Sequence, residues 1–372
     1  MIITKVEASG YRCLREVRQE LGPFQILVGP NGSGKSVFLD VIAFLGDLVS
    51  GGLEKAVSAR TENFYDLVWG RTDGSFRLVV EAGSPQQDDS SETFRYEIEA
   101  RIDANDDQLA ISSEQLTVNG TPAITRSGKQ ISFLGDHKPV VFEMDSNHTG
   151  LRNLTDQRFP MASRLVGLME EGLRRVVLDN DRLRAASPPG RSRSAIYDGS
   201  NLARLVARLQ AASGEVFESW VEHVQSAIPE IVDIRTILRP EDKHRYLMLR
   251  YPGGIEVPQW MLSDGTLRLL ALTILAYLPD FHGVYLIEEP EVGVHPAAIE
   301  TIMQSLSSVY EGQVLVTSHS PIVLSLARPD QLLCFQKNEN GTTIIPGNEH
   351  PMLRQWKAGV NVSDLFAAGV LG

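Results

Sequence analysis

The stretch Gly29-Pro30-Asn31-Gly32-Ser33-Gly34-Lys35-Ser36 constrains this chain more than any other part of it. It fits G-x-x-x-x-G-K-[ST] at every specified position, and the pattern encodes a physical device. Glycines let consecutive backbone N–H groups turn to one side, and a helix starting where the loop ends adds the positive end of its dipole. A lysine and a hydroxyl then complete a cradle for linked phosphates and a divalent cation. The flanks agree with this reading. Phe24–Val28 is a short apolar run suited to a buried strand, and apolar residues recur at helical spacing from Ser36 to Val49. The cradle is expected to comprise Asn31, Gly32, Ser33, Gly34, Lys35 and Ser36. Lys35 would reach the β- and γ-phosphates of ATP, and the Ser36 hydroxyl would ligate Mg²⁺.

A second apolar run, Val284–Ile287, ends in Glu288-Glu289-Pro290. A carboxylate at a strand end beside a phosphate loop can hold Mg²⁺, and a neighbouring one can orient the attacking water. Glu288 therefore reads as the metal residue and Glu289 as the general base. Paired glutamates are common in solvated loops, and it is the phosphate loop in the same chain that gives this pair its meaning. Two further stretches keep two readings each. Leu262-Ser263-Asp264-Gly265-Thr266 opens an apolar helical run, so the Ser263 hydroxyl and the Gly265 N–H either bind an anion or only cap the helix. His319, in Thr317-Ser318-His319-Ser320-Pro321 after a short apolar strand, either senses a γ-phosphate or is only a loop residue.

The remainder divides into three parts: 1–150, 151–245 and 246–372. Alternating stretches at Phe76–Glu81, Thr93–Arg101, Gln108–Val118 and Gln130–Leu134 predict an antiparallel β subdomain in the first. The second reads as a helical insertion, broken at Ser187-Pro188-Pro189-Gly190-Arg191-Ser192. Between Leu151 and Ala195 it carries nine arginines, at 152, 158, 164, 174, 175, 182, 184, 191 and 193, with no lysine and five acids. That density fits contacts to DNA phosphates, contacts to an acidic partner, or a solvated helical face. The net charge of −12 argues against a protein that coats nucleic acid over its whole surface. Cys13 and Cys334 show no metal spacing, which fits a reducing cytoplasm. No apolar run approaches the roughly 18 residues needed to cross a bilayer.

Taken in order, Gly29–Ser36, Leu262–Gly265, Leu286–Glu289 and His319 resemble the ABC-type ATPases. In that family these are the Walker A loop, the signature, the Walker B strand with its catalytic glutamate, and the switch histidine. The wording of Ile287-Glu288-Glu289-Pro290-Glu291-Val292-Gly293-Val294-His295-Pro296 and of Thr317–Pro321 is similar to one branch, the RecF-, SMC- and OLD-like ATPases. That branch includes stand-alone bacterial "AAA family" members of defence and repair systems. The opening, Ile2–Val6 and Gly10-Tyr11-Arg12-Cys13-Leu14, is similar to the branch's first strand and Phe-Arg-Ser-like turn, with Tyr11 for Phe and Cys13 for Ser. The resemblance adds Arg12 to the nucleotide-binding residues. It implies a P-loop NTPase of ABC-head type, with a mainly parallel core sheet, an antiparallel β subdomain and a helical insertion. Three features depart from the family pattern. Glu288 stands where many members have Asp. The signature reads Ser-Asp-Gly-Thr. The Mg²⁺-sensing glutamine loop has no clear match, with Asn63–Leu67 the region to search.

The resemblance also implies a homodimer, or a higher assembly of dimers, in which Ser263 and Gly265 of one copy complete the ATP site of another. His295 would then lie near that interface, or would cap the helix starting at Pro296. The stretch between loop and signature leaves no room for a long coiled coil, and the chain after His319 is short for a further catalytic domain. Hydrolysis of DNA by this chain is therefore not expected. Two functions remain. One is an ATPase coupled to DNA, through residues 152–193, or to a separately encoded effector such as a nuclease or toxin, in repair or anti-phage defence. The other is a slowly hydrolysing, ATP-gated scaffold that holds a protein partner without DNA. The apolar tail from Trp356 to Leu371 would pack on the head or dock that partner.

Overall fold

The computed structural model describes residues 1–354 apart from 72–73, 85–91, 104–106, 135–138, 154–159, 191–195 and 280. In chain order the first strands are β1 (Ile2–Tyr11), β2 (Leu14–Glu20) and β3 (Phe24–Val28), followed by helix α1 (Lys35–Gly51) and a short helix α2 (Leu53–Ser58). Six strands come next: β4 (Ser75–Gly83), β5 (Thr93–Ile102), β6 (Leu109–Val118), β7 (Thr121–Ser127), β8 (Gln130–Phe133) and β9 (Val140–Glu143). Together with β1 and β2 they form one antiparallel sheet of eight strands, ordered β2-β1-β4-β5-β6-β7-β8-β9. The period-2 alternation of Thr93–Arg101 puts Phe94, Tyr96, Ile98 and Ala100 in the core and their neighbours outward.

The segment after this sheet is helical over α3 (Pro160–Gly167), α4 (Asn180–Arg184), α5 (Leu202–Ala212) and α6 (Gly214–Ala227). It also supplies strands β10 (Leu173–Val176) and β11 (Ile196–Tyr197), an addition to the helical content expected there. A small antiparallel sheet follows, of β12 (Asp233–Leu238), β13 (Arg245–Arg250) and β14 (Glu256–Pro258). The chain closes with α7 (Asp264–Thr273), β15 (Val284–Glu288), α8 (Pro296–Ser307), β16 (Gln313–Ser318), α9 (Pro321–Leu326), β17 (Leu332–Asn338), β18 (Gly341–Pro346) and α10 (Pro351–Arg354). The core sheet has the order β11-β10-β15-β16-β3-β17-β18, and every pairing in it is parallel except β17 with β18.

Parallel strands covered on both faces should be apolar throughout, and these are. Leu286, Leu315 and Leu27 point into the core shared with α1 and the eight-stranded sheet. Ile287, Val316 and Ile26 point into a second core under α6, α7 and α8. Helix α1 touches β1 and β4 on one side and β10 and β16 on the other, which is why nearly its whole circumference is apolar. Gln313 joins the two sheets. Its buried amide donates to the carbonyls of Ile3 and Gly22, at 2.7 and 2.8 Å, and accepts the N–H of Ile3 at 2.9 Å.

The second core is anchored by Trp220, fully buried on α6, whose indole N–H donates to the Thr273 hydroxyl at 3.0 Å. Trp220→Phe removes that bond and leaves a small void, and is expected to lower unfolding free energy by about 1–3 kcal/mol. A denaturant titration of both proteins, read by circular dichroism, checks this. No helix among the described residues is long and apolar enough to cross a membrane.

Candidate nucleotide site

The parallel strands of the core sheet end at one edge, and residues 29–36, Glu288, Glu289 and His319 gather there. Strand β3 delivers the loop 29–34, and α1 starts directly from it. Gly34 has φ +103°, and a side-chain carbon there would sit 2.5 Å from the Thr342 hydroxyl and 3.1 Å from the Cys13 sulfur. Only glycine fits that conformation and that space. The Thr342 hydroxyl in turn donates to the Ser33 carbonyl at 2.9 Å, so β18 braces the loop from behind. No side chain caps the start of α1, which leaves its first N–H groups for a ligand. Asn31 and Gly32 are exposed, while Ser33, Gly34 and Lys35 are buried.

Lys35 donates to the carbonyls of Gly29 and Pro30, at 2.7 and 2.9 Å. Burial pulls its ammonium below the ordinary lysine range, and the negative charges of Glu289 and Glu291 oppose that shift. One residue on, the Ser36 hydroxyl donates to Glu288 at 2.5 Å. This pair brings the loop helix and the end of β15 into direct contact. Mg²⁺ at such a site takes most of its ligands from phosphate and water, so a hydroxyl and a carboxylate this close fit what the protein must supply.

Glu289 follows with φ +47°, a left-handed turn that stops the strand, and its N–H bonds the Thr317 carbonyl at 2.9 Å. Its carboxylate meets Nδ1 of His319 at 2.9 Å, and both side chains are partly open to solvent. Adjacent parallel strands therefore deliver the acid pair and the histidine to one point. Glu291, which the sequence reading passed over, accepts the Ser318 hydroxyl at 2.6 Å and the His319 N–H at 3.4 Å. Its other carboxylate oxygen is buried and has no hydrogen-bond partner among the described residues. The available signal was a third glutamate two residues after the pair.

Other expectations land differently. Arg12 adopts φ +49° in the turn after β1 and lies 3.6 Å from Asp40, one helical turn beyond Ser36 on α1. Asp40 also accepts the Tyr11 hydroxyl at 2.7 Å and the Arg60 guanidinium at 2.8 Å. The segment Asn63–Leu67 is a short helical turn whose Leu67 carbonyl accepts the Arg12 N–H, and among the described residues it makes no hydrogen bond to Ser36 or Glu288. Strand β15, which carries Glu288, runs between β16 and β10. Arg175 of β10, with Ser36, Asp40 and Glu288, lines a small cavity beside the loop. Two arginines, Arg174 and Arg175, between Leu173 and Val176-Val177 were the sequence signal for it.

Ser263 caps α7, accepting the Thr266 N–H at 3.1 Å, and Gly265 packs close to the Gly293 carbonyl. Among the described residues, neither bonds to residues 29–36 of the same chain. His295 caps α8 by accepting the Ala297 N–H at 3.2 Å, which is one of its two readings.

With this geometry in view, residues 24–325 match the family described as "AAA domain, putative AbiEii toxin, Type IV TA system". The chain belongs to this AAA family. It is similar to an OLD nuclease of Thermus scotoductus, 21% identical over 359 residues that cover 92% of this chain and 64% of that protein. It is also similar to the Old nuclease of Escherichia phage P2, 28% identical over 92 residues, 22% of this chain and 16% of that one. The chain thus spans less than two thirds of the length of either relative. Among solved structures, an Smc head bound to the C-winged helix domain of ScpA superposes with a TM-score of 0.58 at 16% identity, covering 93% of this chain and 97% of that one. The SMC head domain from Thermotoga maritima gives 0.51 at 15%, covering 93% and 99%. The fold is the P-loop head of an ABC-type ATPase, of the RecF-, SMC- and OLD-like branch.

In this AAA family member four arginines of the basic segment meet carboxylates. Arg164 pairs with Glu92, Arg182 with Asp198 and Arg184 with Asp264, at 2.8, 2.9 and 2.6 Å, and Arg152 lies 3.9 Å from Glu170. Arg158, Arg191, Arg193 and the tail from Trp356 lie outside the described residues.

Proposed function

We propose that this chain binds ATP with Mg²⁺ at the loop 29–36 and hydrolyses it, and that two copies close around the nucleotide. The observation that carries the reading is the convergence of Ser36 on Glu288 and of His319 on Glu289, at 2.5 and 2.9 Å, beside one phosphate loop. The loop N–H groups and Lys35 hold the phosphates, exchanging the Gly29 and Pro30 carbonyls for phosphate oxygens. Ser36 and Glu288 hold the metal, which when bound neutralises charge building on the transferred phosphoryl group. Glu289 accepts a proton from the attacking water, and His319 orients that carboxylate through Nδ1. Arg12, kept near α1 by Asp40, adds positive charge on the loop's flank. Ser263 and Gly265, which make no hydrogen bond to residues 29–36 of their own chain among the described residues, serve a second copy, so ATP joins the two.

Ser263→Arg tests the shared site. ATP still binds the monomer, while ATP-dependent dimerisation, read by light scattering, falls at least about tenfold because the charged side chain occupies the closure surface. Unchanged dimerisation would remove Ser263 from the interface.

Coupling to DNA or to a separately encoded effector extends the same reading. The pairing of Arg152, Arg164, Arg182 and Arg184 with carboxylates favours the second form, an ATP-gated scaffold for a protein partner. The ATPase rate with and without double-stranded DNA at two salt concentrations separates them. Salt-sensitive stimulation supports DNA coupling. A rate indifferent to DNA supports the protein partner.

A further inference from the structure

A cavity of about 770 Å³ opens at the other edge of the core sheet, where β10 and β15 begin. It is of ligand size and lies away from the phosphate loop. Arg164, Arg174, Arg204, Arg208 and His282 line it, against the carboxylates of Glu92 and Glu171. Arg204 donates to the carbonyls of Pro188 and Lys243, at 2.6 and 2.7 Å. These acceptors are neutral, so they fix the guanidinium without cancelling its charge. Tyr197, 6% exposed, and the half-buried Asn201 complete this part of the wall. Phe281 and Tyr285, stacked at 3.9 Å and 20°, give the cavity an aromatic wall.

We propose that this cavity is a second ligand site, for a small phosphorylated molecule of nucleotide size that carries an aromatic ring. Arginines suit planar, bidentate phosphate contacts. Arg204 is the central one, with Arg208 a turn further along α5. The ring lies against Phe281 and Tyr285. The site is wired to the phosphate loop by two strands. On β15, Tyr285 lines this cavity and Glu288 meets Ser36; on β10, Arg174 lines it and Arg175 sits beside Glu288. Three residues of strand span roughly 10 Å, so occupancy here bears on the alignment of the metal residue.

The test uses the full chain carrying Lys35→Ala, which disables the phosphate loop, and titrates AMP and an unphosphorylated 12-nucleotide single strand by calorimetry. AMP is expected to bind with a Kd on the order of 0.1 mM. Adding Arg204→Gln should weaken it by roughly tenfold, and Arg208→Gln, at an exposed position, by several-fold. Melting curves report whether each variant is folded, and where Arg204→Gln is not, Arg208→Gln carries the comparison. Absence of AMP binding overturns the proposal. So does binding that ignores both arginines, which would belong to the phosphate loop. Tighter binding of the oligonucleotide than of AMP also overturns it, by making the cavity a nucleic-acid site.

Discussion

Glu289→Gln lowers ATP hydrolysis by about 10²–10⁴-fold and leaves ATP binding intact. The glutamine keeps the shape of the side chain and an oxygen for His319, but it cannot take a proton from water. The rest of the site should not move. The backbone at Glu289 is set by its φ of +47° and by its bond to the Thr317 carbonyl, both independent of the carboxylate charge. Glu288 and Ser36 still hold the metal. ATP then stays uncleaved at the site, and the dimer it joins should accumulate. Phosphate release in a single turnover, with nucleotide binding and light scattering on the same sample, gives all three readouts. Hydrolysis at the wild-type rate would remove Glu289 from the role of base.

Lys35→Ala reduces ATP affinity by more than about a hundredfold, since two or more hydrogen bonds from a cation to phosphate oxygens are lost together. Lys35 is 7% exposed, and among the described residues its hydrogen bonds go to two carbonyls of its own loop. The fold should therefore survive the change. In the absence of ATP the variant and the parent should melt within a few degrees of each other. The rise in Tm that saturating ATP gives the parent should vanish in the variant. A variant that keeps the rise would show that the loop binds phosphate without its lysine.

The local parts of this molecule were legible because each rests on short-range chemistry. The phosphate loop, the alternation of β5 and the apolar run ending at Glu288 can each be read within about ten residues. What escaped depends on which distant segments become neighbours. Arg175 counted only as one cation in a basic stretch, and nothing local says that Leu173–Val176 pairs with Val284–Ile287 and brings it beside Ser36. Glu291 escaped for a related reason, since its partner Ser318 lies on another strand. The basic stretch shows the same limit from the other side. Its net charge is visible in the sequence, but the acids that pair with Arg164 and Arg184, Glu92 and Asp264, lie outside it.

Strand β3, which carries the phosphate loop, is hydrogen-bonded on its two sides to β16 and β17, whose residues begin at Gln313 and Leu332. A growing chain therefore emits its most recognisable motif early and completes the setting for it late. At roughly 5–20 residues per second, a nascent chain exposes both edges of β3 for on the order of tens of seconds. Through all of that interval the Thr342 brace, and through most of it the Glu288 carboxylate, has yet to be made, so the nucleotide site is completed only after the sheet around it. Protection of this strand by chaperones, and sensitivity of the yield to translation speed, follow from the order in which the sheet is assembled.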